Sequence, residues 1–241
     1  MELQNTSSIS VCIATYNGER FIRDQINSIL NQLRENDEII IVDDCSIDKT
    51  IDIIVSYSNP KIKLFINPIN LGCNKTFERA ISLSSNEIIF LSDQDDIWDP
   101  NKVNIVLSCF KNKKLTLCLS EAEIIDENGN KKGILYYVSR GGYKPGILRN
   151  LIKANYHGCT MAFRSRLIKK YGLPFPKNIS AHDIWIGYLN EILGEVIFLN
   201  QNLTLYRKHS NNLSSSIKSN ILQMFSWRLI DSINLIRRFV K

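Results

Sequence analysis

Four short, mainly apolar runs recur through the first part of the chain: Ile9–Ala14, Ile39–Val42, Ile62–Ile66 and Ile88–Leu91. Continuous rather than alternating apolarity marks strands buried on both faces, as in a parallel sheet covered by helices. The intervening segments fit the covering helices. Residues from about Arg20 to Leu33 carry Phe21, Ile22, Ile26, Ile29, Leu30 and Leu33 at helical spacing. A second helix, capped by Ser46 or Asp48, carries Ile51, Ile54 and Val55, and a third runs from about Thr76 to Leu83. Asp99 as N-cap with Pro100 at the first helical position opens a fourth, ending near Phe110. The pattern predicts an α/β fold with a mainly parallel central sheet.

The second half changes character. Leu115–Ile125 and Gly133–Val138 flank an Asn-Gly turn signal, predicting a hairpin. Asn155–Phe163 reads as a strand entry, Ile184–Leu193 as a helix and Val196–Leu205 as strand-like. No Ser/Pro/Gly-rich linker divides the chain. The expectation is one domain over residues 1–220 in two subregions, the first to about residue 110 and a smaller one after it. Its 241 residues, 44% apolar and 22% charged, suit one globular domain.

In a parallel sheet, ligands bind beyond the carboxyl ends of the strands. Strand one ends in Thr15-Tyr16-Asn17, strand two in Asp43-Asp44 and strand four in Asp93-Gln94-Asp95-Asp96, so polar groups distant in sequence converge on one edge. Three carboxylates within four residues repel one another unless a cation or ligand offsets them. Mg2+ and Mn2+ take oxygen ligands and share them with a substrate's phosphates. The chain has no G-x-G-x-x-G and no G-x-x-x-x-G-K-[ST]. Neutralisation of a diphosphate therefore falls to the acidic run and its metal. The net charge of +6 is spread out, and no nucleic-acid partner is expected. Six scattered cysteines without a C-x-x-C pair predict a reducing compartment, not a zinc site or a disulfide framework.

The segments Val11–Asn17, Ile41–Thr50, Asn70-Leu71-Gly72 and Leu91–Asp96, in this order and spacing, resemble the family 2 glycosyltransferases of the GT-A fold, which invert configuration and use sugar nucleotides. The resemblance is strong to about residue 110 and weaker to about residue 215. It implies that Thr15, Tyr16 and Glu19 line the base and ribose pocket and that Asp44 holds the base. Asp93, Asp95 and Asp96 would form the D-x-D site, one touching the ribose while Asp95 or Asp96 binds Mn2+ or Mg2+. The family's general base stands at the start of a helix in the second half, which here points to Asp183 in Ser180–Trp185. His182 replaces the usual Glu, as in the bacterial branch resembling rhamnosyl- and O-antigen transferases. In Tyr206–Asn212, His209 is a candidate metal ligand, and Arg207 or Lys208 a candidate for neutralising phosphate. Gly158–Met161 resembles the segment near the donor sugar and acceptor, with a core strand as the alternative. Trp98 and Trp185 flank the two acidic sites, where core packing competes with sugar stacking.

The implied partners are a nucleoside diphosphate sugar, UDP-glucose or UDP-galactose or alternatively dTDP-rhamnose, and an undecaprenyl-diphosphate-linked saccharide of a bacterial surface glycan. A non-catalytic sugar-nucleotide-binding protein is the alternative of another class. From Ile221 onward the chain reads as a basic amphipathic helix with Arg228, Arg237, Arg238 and Lys241, a pattern that suits an anionic membrane surface. Met1–Thr6 lacks the regions of a signal peptide, and no apolar run approaches the roughly 20 residues of a membrane span. The expected location is the cytoplasm, peripheral on the inner face of the plasma membrane.

Overall fold

The structure, a computed structural model, describes residues 7–153, 155–210, 212 and 221–240. Met1–Thr6, Asn211 and Lys241 lie outside them, as does the expected boundary at residue 220. The first half alternates as anticipated: β1 (Ile9–Thr15), α1 (Ile22–Leu30), β2 (Glu38–Asp43), α2 (Thr50–Val55), β3 (Ile62–Ile66), α3 (Cys73–Leu83) and β4 (Ile88–Ser92). The four strands pair in parallel in the order β3-β2-β1-β4. Their register sets Thr15 beside Asp43 and Ile13 beside Ser92, so the polar residues following β1, β2 and β4 emerge at one edge.

Period-two alternation divides the sheet between two cores. Ile39 and Ile41 face Ile22, Ile26 and Ile29 of α1, whereas Ile40 and Val42 face Phe77 and Ile81 of α3 and Trp185. Each fully buried Ile contributes about 1.5–3 kcal/mol relative to exposure. This two-sided burial is the reason the strands read as continuous apolar runs.

The second half adds β5 (Ile97–Trp98), α4 (Lys102–Cys109), β6 (Leu115–Ile125), β7 (Lys131–Leu135), α5 (Tyr136–Ser139), α6 (Ile147–Ile152), β8 (Met161–Arg164), a helical turn α7 (Ser165–Leu167), α8 (His182–Leu193), β9 (Glu195–Arg207) and α9 (Ile221–Phe239). The sheet continues β4-β8-β6-β9-β5, with β7 paired to β6. β8 runs antiparallel to both β4 and β6, and β6 and β9 are parallel. Asp99 accepts the Asn101 amide as a cap would, although the regular helix begins at Lys102.

Two expectations shift, and one strand is new. The second hairpin strand stops at Leu135, because the Glu121 carboxylate accepts the Tyr137 and Val138 amides and turns Tyr136–Ser139 into a helix. Within Asn155–Phe163 only Met161 onward is strand, since Gly158–Thr160 forms a tight helical turn. β5 was not anticipated: two residues carry no periodicity, and Ile97 and Trp98 become a strand only by pairing with Leu205 and Thr204 of β9. This pairing curls the sheet so that the acidic run, between β4 and β5, meets the end of β9.

Gly187 on α8 illustrates how closely the second core is packed. A Cβ there would fall 2.5 Å from Cγ of the Tyr156 ring, whose hydroxyl donates to Glu191. The ring is held at both ends and has little room to retreat. Gly187→Ala is expected to destabilise by about 1–3 kcal/mol through overpacking, measured as a lower midpoint in urea unfolding.

Candidate active site

The acidic run is a loop whose side chains diverge. Gln94 turns back, accepting the Tyr16 amide at 2.9 Å and donating to the Tyr16 carbonyl at 3.1 Å. Asp95 is buried, with Oδ2 2.7 Å from His209 Nε2 and accepting from Asn212 Nδ2 at 3.1 Å. Asp96 is fully buried. Its Oδ1 accepts the Arg207 amide at 3.0 Å, and its Oδ2 has no hydrogen-bond partner of ordinary geometry among the described residues. One oxygen each of Asp93 and Asp96 and the Cys159 sulfur, a weak donor, lie within 4.8 Å of one another.

Burial, reinforced by the Asp95 charge, pushes the Asp96 carboxyl up to about 7. Burial, then the charges of Asp96, Asp95 and Asp183, raises Asp93 well above the usual carboxylate range. The residues present fit a hard divalent cation. The unpartnered Asp96 oxygen is an available ligand, the donors are mostly oxygen, and a dication would relieve the mutual repulsion. Burial keeps the Cys159 thiol protonated, so it is a poor ligand for such an ion.

Asp183 stands in the first turn of α8, where the helix's positive end favours a carboxylate. It is half-buried; Oδ2 accepts the Gly158 amide at 3.1 Å and Oδ1 the Ile184 amide at 2.8 Å. The helix N-cap is Ala181, so Asp183 is not the cap. Gly158 holds Asp183 and its neighbour Cys159 lies against Asp93 and Asp96, so two adjacent residues link the carboxylate at the helix to the acidic run. His182 is buried, stacked on Phe77 at 4.1 Å, with its amide bonded to Asn74 Oδ1 and its Nε2 without a partner among the described residues. Burial lowers its pKa, and holds that of His157, stacked on Tyr136, at about 4.

Along the β1 and β2 ends, Thr15 is buried and donates to Asp43 Oδ2 at 2.9 Å. Tyr16 is 46% exposed and available to a ligand. Glu19 is exposed and accepts the Lys49 amide at 3.0 Å, tying its loop to residues 46–50. Asp44 is buried: Oδ1 accepts from Asn67 Nδ2 at 2.7 Å and the Leu71 amide at 2.8 Å, and Oδ2 accepts the Gly72 amide at 2.8 Å. Asp44 thus pins the Asn70–Gly72 loop.

The structure brings the expected residues to one edge and adds others. Arg207, a sequence candidate for neutralising phosphate, is instead buried: Nε donates to the Asp95 carbonyl, Nη1 to the Glu127 carbonyl, and the guanidinium lies over Phe21. It scaffolds the acidic run. Neither tryptophan is free to stack on a sugar. Trp98 is buried against Phe90, and Trp185 is buried with Nε1 donating to the Gly172 carbonyl. Sequence reasoning missed His157 and Lys102; a lone histidine in a loop and a lysine at a helix start carry no distinguishing signal.

Residues 10–172 match the family described as "Glycosyl transferase family 2". Over 210 residues the chain is 26% identical to Escherichia coli WfgD, named UDP-Glc:alpha-D-GlcNAc-diphosphoundecaprenol beta-1,3-glucosyltransferase, covering 86% of this chain and 80% of that one. Among solved structures, Staphylococcus aureus TarS 1-349 in complex with UDP-GlcNAc superposes with a TM-score of 0.77 at 20% identity, over 97% of this chain and 68% of that one. The mannosyltransferase PcManGT from Pyrobaculum calidifontis, in complex with GDP-Man and Mn2+, does so with a TM-score of 0.67 at 16% identity, over 98% and 64%. These likenesses show the GT-A fold.

Proposed function

The chain belongs to glycosyl transferase family 2, and on that premise we propose that it moves a hexose from a UDP-sugar to a saccharide linked through diphosphate to a lipid, with inversion. The observation that carries this is the connection of Asp183 to the acidic run through the adjacent residues Gly158 and Cys159. An inverting displacement needs a base on the acceptor side and charge neutralisation on the leaving-group side. Asp183 takes the acceptor hydroxyl proton as that oxygen attacks the anomeric carbon. The bond from that carbon to the diphosphate oxygen breaks, and the nucleoside diphosphate departs.

Asp96, with Asp93 beside it toward the ribose, would hold Mn2+ or Mg2+, and Asp95 and His209, bonded to each other at 2.7 Å, would join as ligands by exchanging that bond for the cation. When bound, the cation neutralises the charge developing on the diphosphate. Tyr16, Thr15 and Glu19 form the wall for base and ribose. Asp44 uses three of its roughly four acceptor sites on the protein, which leaves Oδ2 one site for a base N–H.

The activity for which WfgD is named, with a UDP-glucose donor and a diphosphoundecaprenol-linked acceptor, supports these substrate classes here. The test is transfer by the purified protein with Mn2+, a panel of UDP-glucose, UDP-galactose and dTDP-rhamnose, and a saccharide-diphosphate-lipid acceptor analogue. Metal-dependent product with a UDP-sugar is expected. Product only with dTDP-rhamnose would overturn the donor, and neither transfer nor donor hydrolysis with any would overturn the reading.

A lipid-linked acceptor also suits α9. Its Arg228, Asp231 and Arg238 bond to Tyr188, Ser180 and the Leu173 and Pro174 carbonyls. The other face leaves Phe225, Leu229, Ile233 and Ile236 exposed. Two of the arginines that suggested a basic helix therefore serve the protein itself. No helix among the described residues is long and apolar enough to cross a membrane. We assign the apolar stripe to an anionic bilayer on the inner face of the plasma membrane. The triple variant Phe225→Ser, Leu229→Ser, Ile236→Ser is expected to lose at least tenfold in co-sedimentation with phosphatidylglycerol vesicles. Undiminished binding would remove this role.

A further inference from the structure

Lys102, the first residue of α4, is 1% exposed, and no carboxylate among the described residues accepts its ammonium. Its Nζ donates to the Cys159 carbonyl at 2.7 Å and to Thr204 Oγ1 at 2.8 Å, and lies 4.2 Å from the centre of the Trp98 ring. Burying an ammonium without a directly paired anion costs several kcal/mol in general. Such an arrangement calls for a return elsewhere in the molecule.

The groups around Nζ identify that return. Cys159 belongs to the turn whose preceding residue, Gly158, donates to Asp183 Oδ2 and whose sulfur lies against Asp93 and Asp96. Thr204 lies on β9, paired with Trp98, three residues before Arg207, whose amide bonds to Asp96. A single ammonium thus bridges the turn that holds the candidate base and the strand that anchors the acidic run. Its charge and those of Asp93 and Asp96 act on one another across the buried space.

We propose that Lys102 is a positioning residue for the transfer: a built-in cation beneath the acidic run that sets Asp183 relative to the leaving-group side. The inference rests on the transferase reading above and deepens it. Two consequences separate it from a packing role. Removing the charge should strengthen cation binding, because the bound dication no longer shares the carboxylates with an ammonium. Removing the bridge should slow turnover without weakening donor binding, because a displacement of about 1 Å at a base costs up to roughly a hundredfold in rate.

The experiment compares the parent with Lys102→Met, which keeps the length and apolar bulk of the side chain. Mn2+ affinity is read by electron paramagnetic resonance on the free protein, alongside kcat, donor KM and Tm. The expected result is Mn2+ binding about tenfold tighter, kcat lowered about 10- to 100-fold, donor KM within twofold, and a Tm equal to or above the parent's. Unchanged Mn2+ affinity, or a kcat within twofold of the parent, overturns the proposal. Should Lys102→Met not fold, Thr204→Val decides. It keeps the charge and removes one anchor, so kcat should fall about fivefold with Mn2+ affinity unchanged, and an unchanged kcat overturns the proposal. A parent without transferase activity would sink the functional reading instead, with the Mn2+ titration still deciding Lys102.

Discussion

Asp183→Asn is expected to lower kcat about a thousandfold while leaving UDP-sugar binding within twofold. The amide is nearly isosteric, and its oxygen can still accept the Gly158 amide that Asp183 Oδ2 accepts at 3.1 Å. The turn should therefore hold its place, while the start of α8 loses the bond from the Ile184 amide that Oδ1 accepts at 2.8 Å, at a cost of about 1 kcal/mol. What is lost is the capacity to take a proton from the acceptor hydroxyl, and positioned general bases contribute typically 10²–10⁴ in rate. Because the proton moves only on the way to the transition state, the loss should fall on kcat and not on donor affinity. Donor binding by calorimetry and transfer by product formation measure the two separately. Normal transfer by the variant would remove Asp183 as base. A donor affinity falling in parallel with kcat would assign Asp183 to binding instead.

The second large effect concerns Asp96. Asp96→Asn is expected to reduce metal-dependent transfer by roughly 10²–10³ and to abolish the stabilisation that Mn2+ gives the parent in a thermal melt. In the metal-free protein the same change should act in the opposite direction on stability. Burial and the Asp95 charge raise the Asp96 carboxyl from 3.8 to about 7 in the folded state. Between these values the folded protein binds more protons than the unfolded chain at this group, so the group's contribution to stability falls as pH rises from about 4 to about 7. Above 7 the folded protein holds a buried, partly unpaired anion. Asn removes that anion, so the metal-free variant should melt about 5 °C above the parent at pH 7.5, with the difference shrinking toward pH 5. Melts in chelator across that range check the sign. A variant less stable than the parent at pH 7.5 would mean that Asp96 is satisfied in a way its unpartnered oxygen does not indicate.

Both variants alter residues whose types were conspicuous in the sequence, although their surroundings were not. The run Asp93–Asp96 stood out because three carboxylates close an apolar strand, and Asp183 because of the motif around it. Arg207 illustrates the converse. In sequence it is one of two adjacent cations, suited to a phosphate; in the fold it is buried and donates to the carbonyls of Asp95 and Glu127. Which of two neighbouring cations faces solvent depends on where β9 pairs with β5, a contact between segments about 100 residues apart. Lys102 was silent for a similar reason. A lysine opening a helix reads as solvated until the Gly158–Thr160 turn and Thr204 close over it.

The sequence by itself determined the parallel half-sheet, the edge at which its polar and acidic residues gather and the family. Those rest on local quantities: the period of apolar residues, the residues that break strands, and the order of short motifs. The tertiary structure alone decided how the second half folds back. The two-residue strand Ile97–Trp98 exists only through pairing with β9, and the helix Tyr136–Ser139 only because Glu121 accepts its first amides. Tertiary structure also decided which polar groups end up buried without partners, as Asp96 Oδ2 does. Burial of a charge is a property of everything packed around it, drawn from several distant segments, and no window of neighbouring residues contains it.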